Sequence, residues 1–183
     1  FAWYENNGSE SFTKRVIKNT ADYAYDIYGV DIDGDGDVDA FAASFDDDTL
    51  SWFENDGSEN FTERVITTSF DGAISVYPAD MDGDGDIDAV VAVYGDTNNV
   101  LLNDGTGGFT EADAGFGSSY SVGVELGDLD GDGRLDALIG NTFNESNRVW
   151  FQRSTCVGDL DGNGSVAGED LTLLLSYWNT DYG

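Results

Sequence analysis

The chain has 183 residues, 37 of them acidic and 7 basic, which gives a formal net charge of −30. Such a charge repels phosphate backbones and anionic lipid surfaces, and no apolar run approaches the roughly 18 residues of a spanning helix, so the sequence argues against nucleic-acid binding and membrane insertion. With no histidine and one cysteine, it also excludes histidine-based catalysis, histidine zinc sites and a disulfide framework.

The first predicted elements are two strands, Ala2 to Glu5 and Phe12 to Ile17, joined by a turn. The whole segment recurs 49 residues later, as SWFENDGSENFTERVI from Ser51. Between the two copies lie an aspartate-rich loop, residues 31–39, and the apolar run AFAAS. A short run of this kind is typical of a strand that is buried on both faces.

The aspartate-rich loop is part of the same period. It reads DIDGDGDVD from Asp31, DMDGDGDID from Asp80 and DLDGDGRLD from Asp128, which are spacings of 49 and 48 residues. Four short antiparallel strands per period, about thirteen in all, are typical of β-propeller blades. We therefore predict an all-β fold of antiparallel four-stranded propeller-type blades over residues 1–153, in about three repeats of about 49 residues. An open β-sandwich is the alternative.

Each aspartate-rich loop is a candidate metal site. Glycines at positions 4 and 6 allow a sharp turn that gathers alternate carboxylates, and such a group of like charges is unfavourable without a cation. Calcium accepts six to eight oxygen ligands in a flexible geometry and suits this set better than magnesium. The alternative is a solvated acidic turn without metal. The predicted ligands occupy positions 1, 3, 5, 7 and 9 of each loop: Asp31, Asp33, Asp35, Asp37 and Asp39; Asp80, Asp82, Asp84, Asp86 and Asp88; Asp128, Asp130, Asp132, Arg134 and Asp136.

Position 7 tests the assignment within the sequence itself. It holds Asp37 and Asp86 in two loops but Arg134 in the third, so a backbone carbonyl is the ligand that fits all three. The loops are not EF-hands, because position 12 lacks the carboxylate which closes that site. Position 9 closes them instead.

The motif D-x-D-G-D-G-x-x-D followed by an apolar strand resembles the FG-GAP/VCBS repeat, the calcium-binding blade of extracellular propellers such as the integrin α-subunit head. The resemblance covers residues 1–153. It implies about three calcium ions on the loop residues named above and a secreted or cell-surface location. It implies no catalysis, because metals in this family are mostly structural.

Residues 154–183 break the period. They contain an EF-hand-type loop followed by a predicted helix whose apolar residues, Leu171 to Trp178, share one face. This segment resembles half of a type I dockerin, which implies one more calcium ion and the possibility of cohesin binding. The alternative is a calcium-tied helix that docks on its own propeller or on a neighbour. The predicted ligands are Asp159, Asp161, Asn163, Ser165 and Asp170.

These features predict a non-enzymatic extracellular building block for structure or adhesion. Known propellers close with at least four blades and about three are present, so we expect blade completion between subunits, in a homo-oligomer or a filament. The alternative is a carbohydrate- or protein-binding module of a secreted polysaccharide-degrading system. The recurring tryptophans Trp3, Trp52 and Trp150 suit blade packing or, alternatively, a sugar platform.

Overall fold

The computed structural model describes residues 1–20, 23–112 and 116–152. In this part of the chain all regular structure is β-strand, which confirms the all-β class. No helix of the described residues has the length and apolarity to span a membrane. The strands are β1 Ala2–Asn6, β2 Phe12–Val16, β3 Ala24–Val30, β4 Asp39–Ser44, β5 Thr49–Asn55, β6 Phe61–Thr67, β7 Ala73–Ala79, β8 Asp88–Thr97, β9 Asn99–Asn103, β10 Phe109–Ala112, β11 Ser118–Gly127, β12 Asp136–Asn141 and β13 Arg148–Trp150.

The strands pair antiparallel in chain order, as four-stranded blades require. Blade 1 is the sheet β3-β4-β5-β6, and blade 2 is the succession β7-β8-β9-β10. Blade 3 contains β11-β12-β13, and the hairpin β1-β2 is a separate two-stranded sheet. The predicted propeller-type blades are thereby confirmed. The end of β8 also pairs with the start of β11, which joins blades 2 and 3 into one seven-stranded sheet.

Blades pack face to face because the second strand of each blade is apolar on both sides. All six residues of β4 are buried. Phe41 and Trp52 belong to the core that blade 1 shares with blade 2, whereas Ala40 and Phe53 pack towards the β1-β2 hairpin. The small alanines on these strands let neighbouring sheets approach at interior packing density.

The recurring tryptophans do not all occupy the same strand position, although Trp150 packs against a blade core as predicted. In blade 1, Trp52 pairs with Phe41, and Phe53 pairs with Ala40. In blade 3, Trp150 pairs with Ala137, which is the counterpart of Ala40. Trp150 therefore takes the place of Phe53. Its ring packs towards blade 2, with its centroid 5.7 Å from that of Phe116. The last strand is shifted by one residue because its end is fixed by a hydrogen bond from Gln152 rather than by the tryptophan.

Candidate metal centres

The three aspartate loops join the first two strands of each blade, β3 to β4, β7 to β8 and β11 to β12. Their glycines at positions 4 and 6 have positive φ in every loop; in the first loop Gly34 has φ +75° and Gly36 has φ +97°. Only glycine adopts these conformations without steric cost. The turn folds as the sequence predicted, with the chain curling around the carboxylate of position 1.

Position 1 organises the turn. The two oxygens of Asp31 accept hydrogen bonds from the amides of Gly34 (2.9 Å) and Gly36 (3.0 Å). Asp80 and Asp128 make the same pair of contacts in their loops. Position 3 accepts one amide of the loop, as in Asp33 with Asp35. The exposed turn therefore has a defined shape in which carboxylates converge.

Position 9 is the buried anchor of each loop. Asp88 is fully buried, and its oxygens accept hydrogen bonds from the amides of Met81 and Asn103, both at 2.8 Å. The first amide belongs to loop position 2 and the second ends the third strand of the same blade. This carboxylate thus ties its loop to β9, and the other loops repeat the arrangement with Asp39 and Asp136.

Positions 1, 3 and 9 converge in every loop. One carboxylate oxygen from each lies within 4.8 Å of the others in three clusters: Asp31, Asp33 and Asp39; Asp80, Asp82 and Asp88; Asp128, Asp130 and Asp136. Three hard, negatively charged oxygen donors at this spacing form a donor set that fits a divalent cation such as calcium. When bound, the cation would neutralise like charges that the fold holds together.

Positions 5 and 7 lie outside these clusters. Asp35 accepts the amide of Asp37, and the carboxylate of Asp37 lies against Gly57 in the β5-β6 turn. Loop 3 differs, because Arg134 forms an ion pair with Asp132 and its Nε donates to the carbonyl of Gln152 at 3.2 Å. The backbone carbonyl of position 7 as a ligand stays a prediction. The predicted C-terminal ligands, Asp159 to Asp170, lie outside the described residues.

The electrostatics of the loops favour neutralisation. Burial raises the pKa of Asp88 above its usual range, against the hydrogen bonds from Asn103 and Met81, and the charges of Asp82 and Asp84 raise it further. Burial is also the main cause of the raised pKa of Asp33, Asp39 and Asp86. Without a cation the fold holds several carboxylates where their charge is unfavourable.

Sequence reasoning missed the contacts between one loop and the next blade. The side-chain amide of Asn103, in blade 2, donates to the backbone carbonyl of Ile32 in the first loop at 2.8 Å. Gln152, in blade 3, donates in the same way to Met81 of the second loop at 2.7 Å. The recurrence of asparagine at the ends of β1, β5 and β9 was the available signal.

Comparison with known proteins agrees with this architecture. Residues 31–91 and 80–139, together more than half of the chain, match the FG-GAP-like repeat. An Agrocybe aegerita lectin, solved to explain its specific recognition of non-reducing terminal N-acetylglucosamine, has a similar structure, with a TM-score of 0.51 and 19% identity. The similarity covers 82% of this chain but 46% of the lectin, and at this identity it concerns the fold. No curated protein matches the chain significantly.

Proposed function

Since the chain belongs to the FG-GAP-like repeat family, we propose that it is a calcium-stabilised, non-enzymatic building block of an extracellular assembly, in which blades are completed between subunits. Calcium in the three loops would offset the repulsion among clustered carboxylates. The carboxylates at positions 1 and 9 each accept hydrogen bonds from two backbone amides, so their oxygens already hold the fold together. This favours a structural role over acid–base catalysis.

The observation that carries the proposal is an unequal burial of equivalent residues. Phe41, Val90 and Leu138 each lie ten residues after position 1 of their loop. The first two are 0% exposed because the following blade covers them, whereas Leu138 is 37% exposed. Its cross-strand partner Val149 is also exposed, although the counterparts in blades 1 and 2 are buried. Blade 3 thus presents an apolar face of the kind that receives a further blade.

The opposite end of the stack is incomplete in a complementary way. Four residues before position 1, Ile27 of blade 1 is 41% exposed, while Val76 and Val124 of the later blades are 1% and 5% exposed. The β1-β2 hairpin covers only the outer part of this face. Beside it lies a cavity of about 400 Å³, lined mainly by apolar residues including Trp3, Ile17 and Ile27.

Both surfaces belong to one chain, so two copies fit head to tail. The inner strands β11 and β12 of one copy would occupy the groove beside the next copy's β1-β2 hairpin. The five-residue strand β1 of the next copy would then replace the three-residue β13 of the first copy on the edge of β12. Contacts of this type close into a ring or grow into a filament.

Sedimentation velocity in calcium tests the assembly. The wild type should sediment as a species larger than the 19.7 kDa chain, and Leu138→Asp should restore the monomer because a charge in the contact is left unpaired. Val65→Asp, at a more exposed apolar position on β6, is the control and should still assemble. A monomeric wild type in calcium would refute the assembly.

Chelation tests the calcium assignment separately. Ligands that gather only in the native state couple binding to stability, so excess EGTA should lower the melting temperature by more than about 10 °C. An unchanged melting curve would refute calcium stabilisation while leaving the assembly proposal to the sedimentation result. The proposed secreted location is compatible with millimolar-range calcium, where even weak sites of this type are filled.

A carbohydrate- or protein-binding module of a secreted system is the second candidate function. The observation that favours it is the fold shared with a lectin, since that protein recognises a sugar. Glycan-array binding tests the sugar arm, and a cohesin pull-down tests docking through the C-terminal segment. If neither experiment detects binding, the structural role is the function that remains.

A further inference from the structure

A row of aromatic rings crosses all three blades at the strand ends remote from the aspartate loops. Tyr25 and Phe45 belong to blade 1, Tyr94 to blade 2, and Tyr120 and Phe143 to blade 3. Neighbouring ring centroids are 5.5 Å apart for Tyr25–Phe45, 5.7 Å for Phe45–Tyr94, 5.3 Å for Tyr94–Tyr120 and 5.2 Å for Tyr120–Phe143. The contacts form one continuous chain, which we call the aromatic row.

The aromatic row lies outside the buried apolar cores between the blades, although its own rings also touch across the blade boundaries. None of its five rings belongs to the apolar cores described between the blades. Tyr25, Tyr120 and Phe143 are exposed, and Phe143 is the most exposed at 65%. Phe45 and Tyr94, which connect these rings, are half-buried. Exposed aromatic surface at both ends of such a row indicates a contact with another molecule.

The backbone places the end of the row outwards at a conformational cost. Phe143 has φ +53° and Asn144 has φ +64°, so two successive non-glycine residues lie in the left-handed region. Such conformations are costly for side-chain-bearing residues and persist where the surrounding structure enforces them. The loop after β12 therefore holds an exposed phenyl ring in place.

The row borders a cavity of about 680 Å³ that is suited to a polar ligand with apolar faces. Rings of Tyr25, Phe45, Tyr94 and Phe143 line it together with Asp26 and Ser75. The Asp26 carboxylate accepts the Ser75 hydroxyl at 3.0 Å and the amide of Val76 at 3.0 Å, so it is fixed in position with acceptor capacity remaining.

The charge around the row selects the class of ligand. Among the described residues, no lysine or arginine lines the cavity, and the turn after Phe45 carries three successive aspartates, residues 46–48. An anionic ligand is therefore repelled. A neutral chain rich in hydroxyl groups donates hydrogen bonds to the carboxylates and lays its C–H faces on the rings.

We propose that the aromatic row binds a neutral polysaccharide, with successive sugar units lying along Tyr25, Tyr94, Tyr120 and Phe143. This inference rests on the second candidate function and gives it a location. The row crosses blade boundaries, so an extended chain contacts several blades at once. A chain of several sugar units should consequently bind more tightly than a single sugar, because each further unit adds contacts without a second cost of association.

Affinity electrophoresis and calorimetry in calcium test the proposal, with hydroxyethylcellulose, xylan and chitopentaose as neutral probes and an oligolysine peptide as the cationic probe. The wild type should bind at least one neutral probe, and the double variant Tyr120→Ala with Phe143→Ala should weaken that binding at least tenfold. Tyr28→Ala removes a ring on β3 that is about as exposed as Tyr120 and lies towards the aspartate-loop end of its strand, away from the row, and should leave the affinity unchanged.

Each result separates the possibilities. Glycan binding that survives in the double variant, once its melting temperature matches the wild type, overturns the aromatic row while preserving the glycan-binding function. No binding of any neutral probe by the wild type overturns both. Binding of oligolysine alone, weakened by the double variant, assigns the row to cationic ligands through ring–cation contacts and overturns the polysaccharide proposal. If the double variant fails to fold, Phe143→Ala alone serves, because its ring is the most exposed.

Discussion

Replacing Asp88 by alanine should destabilise the protein even without calcium. The buried carboxylate accepts hydrogen bonds from the amides of Met81 and Asn103 at 2.8 Å, and alanine leaves both donors without a partner. Each buried donor left unpaired costs about 1–3 kcal/mol, so the total is about 2–6 kcal/mol. Part of this cost is offset because burial makes the charge of Asp88 itself unfavourable, as its raised pKa indicates.

The matched control is Asp82→Ala in the same loop. Asp82 belongs to the same cluster but is exposed, and its contact with the amide of Asp84 at 3.2 Å is open to replacement by water. In EGTA, Asp88→Ala should lower the melting temperature by about 4–24 °C, the range that follows from about 2–4 °C per kcal/mol for a chain of this size. Asp82→Ala should then melt within about 2 °C of the wild type.

Both variants should fall further below the wild type when calcium is added. Both lose a predicted ligand, so both should gain less from calcium than the wild type does. Thermal melting by circular dichroism, with and without EGTA, separates the two roles. Equal melting of Asp88→Ala and wild type in EGTA would refute the anchoring role of position 9. If the alanine variant does not fold, Asp88→Asn retains one acceptor oxygen and should show a smaller loss.

Three further predictions concern the loops and their neighbours. Arg134→Asp should tighten calcium binding at the third loop, because it removes the ion pair with Asp132 at position 5 and adds a further acidic group. Calorimetry measures this affinity, and an unchanged value at that site would contradict the prediction. Gly107→Ala should lower the melting temperature of the protein more than Gly83→Ala does. Both glycines have positive φ, but only a methyl group at position 107 would overlap the buried Trp52 indole. Equal losses would show that Trp52 does not obstruct the methyl group. In EGTA the melting temperature should rise as the pH falls from about 7 towards about 3.9, the carboxyl pKa of the unfolded chain. A buried carboxyl whose folded-state pKa is raised, as in Asp88, destabilises the fold as the pH rises through that pKa, and this loss is recovered as the pH falls towards the unfolded value. With calcium the trend should reverse as protons compete with the metal, and a fall of the melting temperature without calcium would contradict the buried-charge argument.

The period and the strands were predictable because they are local. The loop motif fixes the positive-φ glycines and the start of each second strand, and the short apolar run after it is typical of a buried strand. The partners of position 9 were not predictable in this way. The amide that Asp39 accepts from Asn55 lies 16 residues along the chain, and the contact from Asn103 to Ile32 spans 71 residues. The first contact depends on the strand register within a blade, and the second depends on how blades stack.

The register of the last strand illustrates the same limit. Sequence similarity aligned Trp150 with Trp52, since a tryptophan–phenylalanine pair occurs in both strands. The structure aligns Trp150 with Phe53, because the hydrogen bond from Gln152 to Asp136 sets the end of the strand. A one-residue shift exchanges the two faces of a strand. The tryptophan therefore packs back onto blade 2, and Val149 takes the face that looks away from it.

The contacts between loops and blades imply that the proposed metal binding would reinforce blade stacking, and the reverse. Asn103 holds a carbonyl of the first loop while its own amide is held by Asp88 of the second. Gln152 repeats this between the second loop and Asp136 of the third. A cation bound in one loop would thus order the backbone carbonyl that accepts the hydrogen bond from the next blade. That next blade carries the following loop, so the effect would pass along the stack. In a stack whose units contact only their neighbours, such links make stability pass from blade to blade. The last loop, whose outward blade face exposes Leu138, is then the one whose calcium affinity should depend on assembly.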